Sequence, residues 1–404
     1  MEFPANQFPS PSTSLNVQTR KIPTVKKINV AIIGLRFGGS FPPIYLKHPD
    51  VGRVAICDSD EALLRAYGDK YHIDDRFARL DDILASRDFD AVHIVTGIPT
   101  HAAMTLAVLN ARKHCACTVP MATSLADLHA IVSAQKASGK NYMMMETAVY
   151  TYQFFHALRM HDQGEFGRIQ FLRGAHYQDM EHWPDYWMGL PPMWYATHAI
   201  APLLTLAGSR ATKVHCFGSG RMREELHRPY GNPYPVESAL FQLSEEGLAA
   251  EVTRTLFHTA HEYVESFHVY GEKKSFEWHI EHDLPVVTGM KAPGDPANHR
   301  GNTITVERVS PADRRDLLPE SIREFTELHI IPDPENPHQS LRQGGGHHGS
   351  HPHLVHEYLR SIVEEREPWI NAVTAADWTA AGICAHQSAM SSGAEVIIPS
   401  FDPP

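Results

Sequence analysis

Residues 28–39 read INVAIIGLRFGG, and the fold turns on how this stretch is understood. The run 28–33 is almost continuously apolar, the pattern of a strand buried on both faces. It stops at Gly34. Gly38 and Gly39 then open an apolar stretch to His48 that the pattern predicts as a helix, with Pro42 and Pro43 in its first turn, where a missing N–H costs least. Strand, glycine turn and helix together make a place where helix N–H groups and a positive dipole end can receive a pyrophosphate. The full G-x-G-x-x-G fingerprint is incomplete, because Arg36 stands at its middle glycine, followed by Phe37. Arg36 could crowd the phosphates or extend over them and add a charge. Gly34 still permits the tight turn and Gly39 close packing of helix on sheet. Asp58 ends the next apolar run (53–57), where a carboxylate suits a ribose 2′-OH and repels a 2′-phosphate. This predicts NAD rather than NADP. The plainer alternative is a glycine-rich turn and an aspartate that caps the next helix.

Working outward, the alternation repeats. A helix capped by Ser59 is expected from Asp60 to about Tyr71, a strand over 91–96, a helix after Pro99 to about Arg112, and a strand over 114–118. Ser124 and Asp127 form a capping box before a helix ending near Gly139, and a strand over 141–145 closes the series. Met143, Met144 and Met145 read as core strand. Such alternation implies parallel βαβ units. After residue 147 the rhythm changes to a helix (150–163), a strand (168–177), an aromatic loop (179–192), a short helix (197–206) and strands over 211–218, 236–243, 249–259, 266–271 and 275–280. Residues 283–343 read as long loops, and two terminal helices are expected near 354–365 and 375–391. The predicted fold class is α/β: a doubly wound parallel Rossmann sheet over 27–147, then an α+β domain over 148–404 with a mostly antiparallel open sheet. Residues 1–26 read as a flexible extension, too poor in apolar side chains to offset ordering entropy.

The composition narrows the class. The chain has 404 residues, 43% hydrophobic and 21% charged, with 36 basic and 47 acidic side chains and a formal charge of -11. That is a globular balance without the basic footprint nucleic acid needs. No apolar run approaches the ~20 residues needed to span a bilayer, and no secretory signal is read at the start. Five scattered cysteines make no disulfide framework, and a reducing cytoplasm is expected.

Several residues carry chemistry by type and place. His198 sits where a loop enters a short helix, beside Tyr195. Histidine titrates near neutrality and can take a hydroxyl proton; tyrosine can donate to a developing alkoxide. His101, with Thr96 and Pro99 before it, lies at a strand-to-helix turn on the edge where dinucleotides bind. Glu146 ends the last parallel strand and could meet a nicotinamide ribose or a surface cation. The stretch 176–187, HYQDMEHWPDYW, mixes aromatic faces with hydrogen-bonding groups such as Asp179, which suits a sugar. His347, His348, His351, His353 and His356 invite a metal reading, yet no carboxylate or cysteine pattern accompanies them. A glycine loop carrying one histidine to the cleft fits better than a metal, solvated histidines before a helix are the other reading, and no metal site is assigned.

Taken together, VAIIGLRFGG, ICDSD, AVHIVTGIPTHAAMTLAVLNARKHCACTVP and FGRIQFLRGAHYQD resemble the Gfo/Idh/MocA oxidoreductase family over nearly all of 28–280 and the terminal helices. The resemblance implies a nicotinamide cofactor on the first domain and hydride transfer to or from a sugar, inositol or similar polyol on the second. Two departures stand out. The family's Glu-Lys-Pro reads Thr118-Val119-Pro120 here, so its lysine is absent, and Trp194 stands four before His198 where an aspartate is usual. Tyr195-Ala196-Thr197-His198 is similar to the Tyr-Pro-Thr-His segment of the NAD-dependent α-N-acetylgalactosaminidases, which also carry valine for that lysine. In that branch a sugar is oxidised at C3, the C2 proton is lost, the glycosidic bond eliminates, water adds and the ketone is reduced. By this likeness Tyr195, Thr197, His198 and Tyr263 fall at substrate positions. His176 aligns with a substrate-contacting tyrosine, and Tyr177, one place away, is the other candidate for that role. Thr118, Pro120, Thr147 and the 98–101 segment fall at cofactor positions.

The expectation is an NAD-dependent oxidoreductase acting on a sugar or polyol hydroxyl, with His198 as acid and base. The first alternative is a redox-neutral, NAD-assisted glycosidase, and the second a non-catalytic NAD-binding sensor. A homo-oligomer is expected, because a large open sheet face needs cover.

Overall fold

The computed structural model describes residues 27–402 apart from 228, 281–282, 294–301, 328, 333–339 and 344–346. The extension expected over 1–26 lies outside them. The first unit runs β1 (Ile28–Ile33), α1 (Pro42–Lys47), β2 (Val51–Cys57), α2 (Glu61–Lys70), β3 (Arg76–Phe77), α3 (Leu80–Ala85), β4 (Ala91–Ile94), α4 (His101–Asn110), β5 (His114–Cys117), α5 (Leu125–Ser138) and β6 (Tyr142–Met144). Its six strands pair in parallel in the order β3-β2-β1-β4-β5-β6. Strands β1, β4 and β5 are buried almost throughout, as apolar strands covered on both faces must be. The chain reverses its strand order between β1 and β4. The carboxyl ends of β1, β2, β4, β5 and β6 therefore carry Gly34, Asp58, Thr96, Thr118 and Glu146 to one edge of the sheet.

The second unit runs α6 (Tyr152–Asp162), β7 (Ile169–Tyr177), α7 (Thr197–Ala207), β8 (Ala211–Ser219), α8 (Glu224–His227), β9 (Val236–Leu243), β10 (Ala249–Thr255), β11 (Val264–Gly271), β12 (Lys274–Trp278), β13 (Val286–Pro293), β14 (Asn302–Arg308), β15 (His329–Pro332), β16 (Ser340–Gln343), α9 (Ser350–Val363), α10 (Ala372–Met390) and β17 (Val396–Ile397). Nine strands form one sheet, β14-β13-β12-β11-β7-β10-β9-β8-β17, antiparallel except for the β7/β10 pair. Helix α7 lies on its inner face. It fits because β7 carries Gly174 there, where a Cβ would stand 2.3 Å from the Ala199 carbonyl oxygen. One continuous apolar core runs through both units, and α10 reaches from α5 and β6 to β8.

Four expectations need correction. Asp60, not Ser59, caps α2, its carboxylate accepting from the Ala62 and Leu63 N–H groups. The helix expected after Gly38 breaks at Phe41, because Pro42 and Pro43 supply no N–H groups to continue a turn begun at Phe37. Strand β3 and helix α3 went unpredicted. Strands β13 and β14 form one hairpin and β15 and β16 another inside the stretch read as loop, where Gly289, Pro293 and Pro332 interrupt short strands and weaken their signal.

Candidate active site

The glycine turn comes first. Gly34 has φ +90°, and a Cβ there would stand 2.4 Å from the Val95 carbonyl oxygen, so only glycine fits. Gly38 faces Val95. Gly39 packs under the Tyr67 ring of α2 rather than allowing α1 onto the sheet. Asp58 is half-buried, and its two oxygens take the N–H groups of Leu35 (2.8 Å) and Asp60 (2.9 Å). The carboxylate thus also fixes the turn, and it keeps lone pairs on the sheet edge. Arg36 and Phe37 are exposed on that turn. An adenine dinucleotide fits this edge: a turn that excludes Cβ, a switch point and an acidic group at the end of β2.

Neighbouring loops complete the edge. Thr96 Oγ1 and Thr100 Oγ1 are 2.7 Å apart, Pro99 is exposed, and Gly97 lies beneath the Tyr186 ring. The aromatic loop of the second unit therefore reaches the first. His101 is buried, with Nδ1 2.8 Å from the Pro120 carbonyl and Nε2 3.0 Å from that of Thr96. Two carbonyls can be satisfied only by two N–H groups, which favours the imidazolium. Burial opposes that charge, but Cys117 and the two carbonyls outweigh it and lift the pKa to about 9. His101 thus ties two loops together, and its ring is not turned to the crevice as expected. Thr118 is half-buried and bonds back to Ile94; Pro120 follows a cis peptide bond.

Where the units meet, His198 stands in the first turn of α7, 4% exposed. Its Nδ1 is 2.5 Å from Glu146 Oε1 and 3.4 Å from Thr147 Oγ1, and its Nε2 is 3.3 Å from the Tyr195 hydroxyl. Glu146, fully buried at the end of β6, also accepts the Ala148 N–H. It is therefore committed to His198 rather than to the sheet edge or a surface cation. With Nδ1–H donated to a carboxylate, the Nε2 lone pair is left for chemistry. Burial pushes the imidazole pKa down, but Glu146 and then Glu265 reverse this and raise it above the ordinary histidine range. Burial raises that of Tyr195 despite Arg254 nearby.

Register builds the rest. Arg254 on β10 pairs with His176 on β7, and His176 pairs with Glu265 on β11, so the three form one row across the inner face. All are buried. Arg254 donates to the carbonyls of Tyr195, His176 and Thr255 and to Gln178, and its guanidinium lies 5.3 Å over the Tyr195 ring. Burial brings its pKa down to about 10. Glu265 accepts from the Tyr263 hydroxyl and lies 3.2 Å from His347 Nδ1. Burial opposes its charge, yet His198, His347 and His176 hold its carboxyl well below the usual range. His176 is pushed well below the ordinary range by burial, then by Arg254 and His198. The ring of His347 stacks against that of His198 at 5.9 Å and meets Phe37 of the glycine turn at 6.0 Å. One histidine of the 347–356 group is thus carried to the site, next to glycine residues 344–346 that lie outside the described set.

The structure gathers His198, Tyr195, Thr197, His176, Tyr263, Glu146 and Thr147. It does not gather Tyr177 or Asp179. Strand alternation turns Tyr177 to the other face of the sheet, against His261, and Asp179 is exposed and caps the Glu181 N–H. Sequence reasoning missed Glu265 and Arg254, whose only signal was a charged residue in an otherwise inward-facing strand position.

Known proteins agree with this architecture. Residues 28–146 match the model of the family described as "Oxidoreductase family, NAD-binding Rossmann fold", Gfo/Idh/MocA. A glycosyl hydrolase family 109 protein of Porphyromonas gingivalis is 29% identical over 216 residues, covering 48% of this chain and 44% of that protein. An inositol 2-dehydrogenase of Salmonella paratyphi B is 29% identical over 126 residues, covering 31% of this chain and 38% of that protein. The chain thus spans about half or less of the length of the curated relatives it matches. Levoglucosan dehydrogenase, solved with NADH and levoglucosan, superposes with a TM-score of 0.71 at 19% identity, covering 93% of this chain and 100% of that one. The aldose–aldose oxidoreductase of Caulobacter crescentus, solved with glycerol, gives 0.68 at 17%, covering 92% and 100%. These structural likenesses establish the two-unit fold. Among the described residues no helix is long and apolar enough to cross a membrane.

Proposed function

We propose that this chain, whose amino-terminal unit belongs to the Gfo/Idh/MocA family of NAD-binding Rossmann domains, oxidises a hydroxyl of a sugar or polyol by hydride transfer. The observation that carries the reading is His198, held by Glu146 of the first unit and facing Tyr195, His176 and Glu265 of the second. Bound NAD supplies a hydride acceptor at the carboxyl edge of the parallel sheet. The chain supplies the rest. His198 Nε2 takes the hydroxyl proton as the C–H bond gives up its hydride, leaving a ketone. Glu146 stabilises the imidazolium so formed, and the Tyr195 hydroxyl donates to the developing alkoxide. The raised pKa of Tyr195 keeps it a donor.

A second reading, redox-neutral cleavage of a glycoside, is supported by a second base. His176 lies beside His198, ring centroids 5.0 Å apart, and neither of its ring nitrogens has a hydrogen-bond partner among the described residues. A base beside a transient ketone can remove the adjacent, acidified C–H proton and start elimination. The family 109 relatives favour this reading as well. A panel of sugars, polyols and aryl glycosides, followed for both NADH and released aglycone, separates the two. NADH build-up with a polyol supports oxidation. Aglycone release without added cofactor, abolished in His198→Ala, supports cleavage. NAD binding with neither activity overturns both in favour of a sensor.

Two finer points belong to the same reading. The outer face of the nine-stranded sheet carries exposed Phe217, Leu240, Met290, Ile304, Val306 and Ile397, which supports a second copy packed against it. Light scattering after size exclusion tests this; a monomer overturns it. All five cysteines are buried and unpaired, which supports a reducing compartment such as the cytoplasm.

A further inference from the structure

We propose that His176, His198 and Glu265, joined by His347, form a binding site for one divalent transition-metal ion. The ligand atoms of the first three lie within 4.8 Å of one another, and all three residues are buried. His176 Nε2 and His198 Nε2 stand 4.0 and 3.9 Å from Glu265 Oε1, too far to hydrogen-bond and close enough to share an ion. His347 Nδ1 is 3.2 Å from the same oxygen.

Three observations point to a ligand rather than to ordinary packing. First, both ring nitrogens of His176 and Glu265 Oε2 have no partner among the described residues, although each is buried. Buried polar atoms normally find partners, so His176 Nε2, which faces Glu265 Oε1, asks for one. Second, Glu146 grips Nδ1 of His198 at 2.5 Å. A carboxylate on the far nitrogen is the usual support of a metal-binding imidazole, because it fixes the ring and sharpens the lone pair at Nε2. Third, the donors come from a rigid frame. His176 and Glu265 are cross-strand partners, and His198 is fixed in the first turn of α7. Bonds of about 2.0–2.1 Å around a tetrahedral ion place ligand atoms about 3.3 Å apart, so side-chain rotations of about half an ångström close the site.

Nitrogen donors with one carboxylate suit zinc, iron, nickel or copper better than calcium or magnesium. The three buried ligands and His347 together make up a four-coordinate site. The functional role rests on the hydride-transfer reading; ion binding itself does not. Nε2 of His198 cannot hold an ion and accept a proton at once. In the loaded protein an ion on Nε2 therefore occupies the lone pair that takes the hydroxyl proton, and oxidation waits on its release.

The test is cobalt titration of the chelator-stripped full chain, followed by visible absorption and competition with zinc. One equivalent of cobalt is expected, with the intense visible bands of a tetrahedral or five-coordinate site. His176→Ala and Glu265→Gln are expected to weaken it ~100-fold, and His347→Ala ~10-fold. His279→Ala, in the other histidine–glutamate trio on the β11–β12 hairpin, is expected to leave it unchanged. NAD titration of each variant by tryptophan fluorescence reports on the fold and on the cofactor reading separately. His347 is half-exposed on a loop, so its variant tests the site even where a core variant fails to fold. No stoichiometric cobalt site, or one that survives all three ligand variants, overturns the proposal even with NAD binding intact. Cobalt binding lost in the ligand variants upholds it even if no sugar or polyol is ever oxidised.

Discussion

The glycine turn and the His198 cluster were built by different means. The turn is local: Gly34, Gly38, Gly39 and Asp58 lie within one strand–helix–strand passage, and backbone sterics at Gly34 decide it. The cluster joins residues 146, 176, 195, 198, 254, 263, 265 and 347, which meet only because β10, β7 and β11 pair in one register beneath α7. A local device tolerates change elsewhere and fails at one atom. A register-built device depends on every strand being in place, yet spreads its chemistry over several groups.

The sharpest way to break that contrast is His198→Ala. We expect a loss of ~10³-fold in kcat/KM for the oxidised substrate, the span of general base catalysis, with NAD affinity within about threefold. Steady-state kinetics beside a fluorescence titration checks it. Equal losses in both would mean that the two regions are one device. Gly34→Ala is the mirror experiment. Its Cβ must displace the Val95 carbonyl in a left-handed backbone, and we expect NAD binding to weaken ~100-fold, with a loss of ~1–3 kcal/mol in chemical denaturation.

The seam between the regions answers to pH. His48 and His356 meet at 2.9 Å, joining the end of α1 to α9. Burial, then a neighbouring charge, depresses each to about 4 from the ordinary 6.5. A depressed histidine binds fewer protons folded than unfolded. The stability it contributes is therefore present above pH 6.5 and is lost as the pH falls toward 4. At 1.36 kcal/mol per pKa unit we expect each histidine to cost roughly 3 kcal/mol over that window. Melting curves from pH 7 to 4.5 should fall less steeply in His356→Gln.

How much of this was legible follows from the same contrast. Period and glycine spacing announce a parallel sheet because each βαβ unit is specified within about thirty residues. The Ser124 cap and the Gly139 cap were readable one turn at a time and both form, although Asp127 takes the Ser124 hydroxyl rather than closing a box on its N–H. Glu146 was visible as the end of β6, but not its grip on a histidine fifty residues on. Glu265 and Arg254 could not be placed, because register is fixed by turns and packing that the sequence names only weakly. Tyr177 shows the penalty: one residue along a strand moves a side chain to the opposite face.

Glu146→Gln tests the bridge between the two constructions. The glutamine still accepts a hydrogen bond but removes the charge that most raises the His198 pKa. The base must be neutral to act, so activity falls as the pH drops through that raised value. We expect the acid limb of the kcat/KM profile to move to lower pH and the plateau to fall ~10-fold, the effect of removing a supporting carboxylate. A limb that stays in place would mean that another group sets it.

The smallest effect should come from Asp58, where the local device does two jobs. Its oxygens hold the Leu35 and Asp60 N–H groups, and in the proposed reading its charge meets a ribose 2′ substituent. Asp58→Asn keeps one acceptor oxygen and swaps the other for a donor, so one of the two turn contacts is weakened. It also removes the repulsion toward a 2′-phosphate. At the exposed edge of a sheet that repulsion is screened, and one charge is worth about 1 kcal/mol. We expect the ratio of NAD to NADP affinity to narrow about fivefold, chiefly through tighter NADP binding. If NAD affinity alone collapses and NADP does not gain, the carboxylate serves the turn and not the ribose, and cofactor choice must be sought in Arg36 instead.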